Sequence, residues 1–375
     1  SLAPGESQEM TIPFRQPPLV AGAEYWLTLR FTLAQPTLWA DAGHVVAWEQ
    51  FAMPFAAPKA AALPIETTPA LRLRDLAKEI RVRGHDFRLV FVKADGAIHS
   101  FRAAGRELVM RGPQLNLWRA PTDNDANTWG DMRAAIHWRE MGYDRLVHQL
   151  REITATQPQP QVVVVTVRSR VCALDRAAGF DCDYTYTIYG SGDVVVETHL
   201  VPDAGLIYLP RVGLQMTLPG GYETMTWYGR GPHESYADRK GSAPVGLYSG
   251  TVDEQHTPYV TPQENGNKTD VRWLALTDAD GAGLLAVGAP LLEVSAHDYS
   301  TQDLAQARHW HELPHRREIT LNLDHRQMGL GNASCGPGAL PQYLIQPEEM
   351  RFLVRLRPLR PGDAPMALSK LSPSS

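Results

Sequence analysis

Apolar and polar residues alternate with a period of two along most of this chain. Short clusters of Gly, Pro, Asn and Asp interrupt the alternation. In Glu24–Leu33 the residues Tyr25, Leu27, Leu29, Phe31 and Leu33 fall on one face, which predicts a strand. Residues 9–14 and Val45–Phe51 read as two more, separated by turns at Pro17-Pro18, Ala21-Gly22 and Asp41–His44. Composition then shifts to Ala, Pro and Thr, and 55–72 reads as a semi-extended linker. Beyond it, short strands are predicted at Ile80–Val82, Phe87–Phe91, Ile98–Phe101 and Glu107–Val109. Longer ones follow at Gln161–Arg170, Tyr184–Tyr189 and Asp193–Leu200, with the run Val162–Val167 expected to be covered on both faces. Leu206–Leu209, Leu214–Leu218, Met225–Tyr228, Trp273–Thr277, Gly283–Val287, Glu318–Leu323 and Met350–Leu356 complete the set. One helix is predicted over Trp129–Met141, with Trp129, Met132, Ile136 and Met141 packed on the sheet and Gly142 ending it.

So many strands with so little helix between them make this an all-β protein with antiparallel pairing. Two large curved sheets packed face to face over residues 73–360 account for that number. Residues 361–375 read as a flexible tail. The three strands before the linker are too few to close a sandwich, so 1–54 looks like the C-terminal part of an immunoglobulin-like β-sandwich.

Composition narrows the class. The 375 residues are 43% hydrophobic and 21% charged, enough for a sizeable core. The net charge of -5 is dispersed, and no basic stripe points to nucleic acid or an anionic membrane. No apolar run is long enough to span a bilayer. Cys172, Cys182 and Cys335 are too few and too scattered for a disulfide framework or a zinc site. The odd count fits a reducing compartment, and the cytoplasm is the expected location. The chain opens Ser-Leu-Ala-Pro-Gly without Met, and reads as a piece of something longer.

The candidate chemistry centres on Asn116-Leu117-Trp118-Arg119-Ala120-Pro121-Thr122-Asp123-Asn124-Asp125. An apolar strand end runs into a Pro and four short polar residues. Asx-turns there would leave some side-chain oxygens free to face a partner. Asp41 and His44 form a pair that turn bonding near Gly43 explains as well as a dyad does.

The block from Trp118 to Asp125 resembles the start of the C-terminal domain of bacterial β-galactosidases of glycoside hydrolase family 2. Four later blocks agree with it in order and spacing. They are Trp227–Arg239, Thr257–Gly266, Asp324–Gly331 and Asn332–Pro337. Leu38–Phe51 resembles the end of the small sandwich domain that follows the barrel in these enzymes. The resemblance implies a supersandwich similar to galactose mutarotase. It also implies retaining hydrolysis of terminal β-galactosides by two Glu residues on a (β/α)₈ barrel, about 5–5.5 Å apart. This chain has no alternation of parallel strands and helices, so no catalytic residue and no metal ligand is expected in it. Mg and Na ions, and the catalytic carboxylates, would belong to the barrel of the full enzyme. That enzyme is expected to be a homo-oligomer acting on a β-galactoside.

Within that reading Asp123, Asn124, Asp125, Asn332, Ser334 and Cys335 are the expected rim of the sugar pocket. Some relatives carry a stacking Trp where Cys335 stands here. Arg230, His233, Glu234, Glu264 and Asn265 are expected either to brace loops or to meet sugar hydroxyls, with bracing favoured. The alternative function is an aldose-epimerase-like enzyme with His233 as acid and Glu264 as base. A stand-alone carbohydrate-binding module is the third reading.

Overall fold

The computed structural model describes residues 2–129 and 132–373. It divides into two compact units, residues 2–63 with 370–372, and residues 64–369 with Pro373.

In the smaller unit, β1 (Trp26–Thr32) and β2 (Val45–Ala52) form an antiparallel hairpin, and β3 (Ala62–Leu63) is a two-residue strand. Residues 9–14, expected as a strand, have none, and Met10, Ile12 and Phe14 stay exposed. Alternation in so short a segment does not make a strand without a partner edge. The expected linker is not a structureless spacer. It carries β3, a single 3-10 turn at Ile65–Thr67 and the start of β4 (Arg72–Asp75).

The larger unit opens with a five-stranded antiparallel meander. β4 is followed by β5 (Glu79–Arg83), β6 (Phe87–Val92), β7 (Ile98–Ala103) and β8 (Arg106–Val109). β9 (Arg111–Asn116) then enters the main sheet. Two short helices, α1 (Asp123–Ala126) and α2 (Ala134–Met141), precede its long strands. These are β10 (Val147–Gln159), β11 (Val162–Cys172), β12 (Phe180–Tyr189) and β13 (Val194–Pro202). β14 (Arg211–Leu218), β15 (Thr224–Arg230), β16 (Val245–Thr251), β17 (Lys268–Thr277) and β18 (Gly283–His297) follow. After α3 (Thr301–Gln306) come β19 (Ile319–Gln327) and β20 (Met350–Leu359).

The main sheet runs β10-β11-β12-β13-β20-β18-β17-β15-β16, and every pairing in it is antiparallel. β18 joins this path to a second layer. Its first half, Gly283–Ala289, pairs with β20, and Glu293–His297 pair with β19. Pro290 lies between the two halves, where the strand leaves one partner for the other. β19 then pairs with β14, and β14 with β9. The larger unit folds over itself as an all-β supersandwich.

β11 shows why the sequence folds this way. Val163, Val165 and Val167 are fully covered, while Val164, Thr166 and Arg168 face outward. The run is therefore covered on one face, with each buried Val contributing about 1.5–3 kcal/mol. α2 is shorter than expected. It begins after Arg133, a residue in the left-handed region (φ 36°), and stops at Gly142 (φ 81°), whose N–H bonds the Arg139 carbonyl. The expected helical residues Gly130 and Asp131 lie outside the described residues. Trp129 is exposed, not packed on the sheet. Leu206–Leu209 forms only an isolated bridge, Leu209 to Ile345.

The expected flexible tail is instead partly ordered. Pro365–Ser369 form a short helix, α4, with Met366 and Leu368 packed on Trp273, Leu285 and Leu359. The Leu368 and Ser369 carbonyls accept from Arg355. Its two apolar side chains cover an outer patch of the sheet, which composition alone does not reveal.

Candidate functional site

Arg119 is the buried post on which the loop after β9 is built. Its Nε and Nη2 reach the two oxygens of Asp125 at 3.0 and 2.8 Å, and its Nη1 donates to the Met328 carbonyl at 2.6 Å. Thr122 and Asp125 close a capping box on α1, with Asp125 N to Thr122 Oγ1 at 3.2 Å and Thr122 N to Asp125 Oδ2 at 3.0 Å. Arg119 also lies over the Trp138 ring, and Trp118 meets Trp138 edge to face. The fork–fork pair and the cap hold the loop in one conformation.

That rigid loop grips a second one two hundred positions away. Asn124 Nδ2 donates to the Gly331 carbonyl at 2.7 Å, and Asn124 Oδ1 accepts from Ser334 N at 2.9 Å and Ser334 Oγ at 2.7 Å. Asn127 Nδ2 donates to the Ala333 carbonyl. Asp238 anchors the far side, its carboxylate accepting from Leu330 N and Gly331 N at 2.9 and 2.8 Å. Gly331 has φ 61°, and a Cβ there would sit 2.4 Å from Ala339 N, so only glycine fits.

The expected rim residues Asp123, Asn124, Asp125, Asn332, Ser334 and Cys335 therefore come together, with different duties. Asp125 is buried and both its oxygens are taken by Arg119, so it faces no partner. Asn124 is also consumed by the junction. Asp123, Asn332, Ser334 and Cys335 are exposed. Trp129, read from sequence as a core residue, joins them. It is 60% exposed, and its N–H bonds Asn127 Oδ1 at 2.9 Å, one residue link from the Ala333 contact. Its apparent helical spacing concealed it.

Members of the second expected group bond neighbouring side chains and backbone. Glu234 is buried and accepts from Arg239, Tyr259, Thr257 Oγ1 and Gly266 N. Burial acts to raise its carboxyl, but the Tyr259, Gly266 and Arg239 contacts outweigh it and hold the group below its ordinary value. Arg230 donates to Asp270 and to the Lys240 and Ala243 carbonyls. Asn265 accepts from Thr257 N and donates to the Gln263 carbonyl.

The acid–base pair of the alternative reading does not form. His233 is exposed and bonds Ser242 Oγ at 2.9 Å. Glu264 is buried against Arg211, 3.2 Å away, and Arg211 also meets Asp324 at 2.8 Å. A carboxylate held inside such a pair does not reach a sugar. Burial pushes Asp324 up to about 7 despite Arg211, and Glu293, opposite it across the β18–β19 ladder, up to about 7 as well. This buried Arg211–Glu264–Asp324 cluster escaped sequence analysis, because its members come from three separate segments. Among the described residues, two groups of side chains each bring three candidate ligand atoms within 4.8 Å of one another, His309–His311–Glu312 and Asp253–Asp298–His315.

Comparison with known proteins decides the family. Residues 83–356 match the family described as "Beta galactosidase small chain", and residues 1–54 match "Beta-galactosidase, domain 4". This chain belongs to the β-galactosidase small chain family. A β-galactosidase from Priestia megaterium is 36% identical over 88% of this chain and 31% of that protein. One from Arthrobacter sp. is 30% identical over 95% of this chain and 35% of that protein. The chain thus spans about a third of the β-galactosidases it matches, and corresponds to a C-terminal part of such an enzyme. Among solved structures, an aldose epimerase homologue from C. elegans has a TM-score of 0.41 at 10% identity, covering 78% of this chain and 99% of its own. A galactose 1-epimerase from Lactobacillus acidophilus has a TM-score of 0.36 at 8% identity, covering 78% and 99%. Among the described residues of this β-galactosidase part, no helix is long and apolar enough to cross a membrane.

Proposed function

We propose that this chain is the non-catalytic C-terminal wall of a retaining β-galactosidase, closing the side of the pocket that receives the aglycone of a terminal β-galactoside. The barrel of that enzyme supplies both catalytic carboxylates and holds the Mg and Na ions it uses, and the full enzyme is a homo-oligomer. The observation that carries the reading is the Asn124 junction. It fixes the Asp123 loop and the Cys335 loop as one exposed rim in a chain of this family. Pockets pair apolar surface with a few placed polar groups. Here Trp129 offers the aromatic face, and Asp123, Asn332 and Ser334 offer the polar groups. Cys335 gives little area, so Trp129 takes the stacking role at this rim.

The test uses the whole gene product that contains this chain, assayed on lactose and on a nitrophenyl β-galactoside. Trp129→Ala should raise KM for lactose several-fold more than KM for the aryl substrate, with Tm unchanged. Cys335→Trp should shift the ratio the other way. Equal effects on both substrates in both variants would remove these residues from the aglycone side.

A further inference from the structure

Three side chains from three separate segments converge at one end of the larger unit. Asp253 lies in the 3-10 turn that follows β16, Asp298 directly follows β18, and His315 sits in the loop ahead of β19. One carboxylate oxygen from each Asp and one imidazole nitrogen all lie within 4.8 Å of one another. His315 Nδ1 is 2.6 Å from Asp298 Oδ2. Asp298 is half-buried, and its backbone carbonyl accepts from Arg316 N, which ties the His315 loop to the strand end.

Asp253, Asp298 and a third acid, Glu223, line one cavity of about 750 Å³ together with His315, Arg316 and Arg317. The nearby Arg316 is engaged elsewhere, its Nε and Nη2 on Asp303 at 2.5 and 2.8 Å. Asp253 makes no ion pair among the described residues. His315 already pairs with Asp298, and a dication held among the three side chains would neutralise Asp253 as well. Two carboxylates with one imidazole suit a borderline divalent ion, since Ca²⁺ and Mg²⁺ take oxygen ligands and soft ions want thiolates.

We propose that Asp253, Asp298 and His315 bind a divalent transition-metal ion, with Zn²⁺ as the ion the donor set fits best. Three protein ligands leave a fourth position for water. The bound ion cross-links three segments whose own ladders end here, so its role is structural. The proposal does not depend on the galactosidase reading.

Calorimetric titration of Zn²⁺ into the purified chain tests it. The parent should bind one equivalent that His315→Ala or Asp253→Asn weakens by about tenfold or more. A His309→Ala/His311→Ala double variant should keep that equivalent. Because all four substituted residues are exposed, circular dichroism should show each variant folded. Saturating Zn²⁺ should raise Tm of the parent and of the double variant, but not of His315→Ala. Absence of saturable binding would overturn the proposal. So would binding that survives His315→Ala and Asp253→Asn but is lost when His309 and His311 are removed.

Discussion

Asn124 commits both ends of its amide to the opposite loop, and that one side chain shows how the two loops are joined. Replacing it with Ala leaves the Gly331 carbonyl and the Ser334 N–H without their partners. Asn124→Ala should cost about 1–3 kcal/mol in urea unfolding. Arg119→Ala should cost more, about 3–5 kcal/mol, because it leaves the Asp125 carboxylate buried and unpaired. If Asn124→Ala unfolds like the parent, the two loops are not coupled. A second residue-scale prediction concerns pH. Glu293 is raised to about 7 chiefly by burial and also by the neighbouring Asp324 charge. A carboxyl raised in the folded state contributes its full stability only below its unfolded value, and that contribution is lost as pH rises through about 7. Glu293→Gln does not titrate. Its Tm relative to the parent should therefore climb between pH 5 and pH 8, and a flat difference across that range would contradict the burial argument. The sequence exposed these residues unevenly. Asp123–Asp125 stood out because short polar residues after a Pro signal a fixed loop. Arg211 did not, since a lone Arg in an apolar strand carries no local sign of Glu264 and Asp324.

At the scale of elements, the central strands were legible and the edges were not. β11 to β13 are paired on both sides and bury alternate positions, so their apolar residues recur with a period of two. β10 and β16 terminate the main sheet and were missed. In β10, Leu150, Ile153 and Ala155 are only half-buried among polar neighbours, and β16 is rich in Gly and Ser. The helix over-reached for a related reason. Trp129 keeps helical spacing with Met132 and Ile136, but its N–H is held by Asn127 in the loop. Close strand approach sets another limit. Gly213 faces Asp324 across the β14–β19 ladder, and a Cβ there would lie 2.1 Å from Asp324 Oδ1 and 2.4 Å from Asp324 Cα. Gly213→Ala must displace backbone or the buried carboxylate. It should lower Tm by several degrees, and wild-type thermal stability in that variant would show that β14 and β19 are spaced more widely than described.

For the whole molecule, the resemblance read from five ordered motifs named the family, and the matches over 83–356 and 1–54 agree with it. The periodicity gave the all-β class, but no local signal showed that β18 serves two layers or that α4 packs on the sheet. In the proposed division of labour this chain shapes a galactoside pocket and another part of the enzyme breaks the bond. The most direct measurement compares hydrolysis of a nitrophenyl β-galactoside by the purified chain and by the whole gene product that contains it. Turnover is expected from the gene product and none from the chain at any concentration. Turnover by the chain alone, proportional to its concentration and retained through further purification, would contradict it.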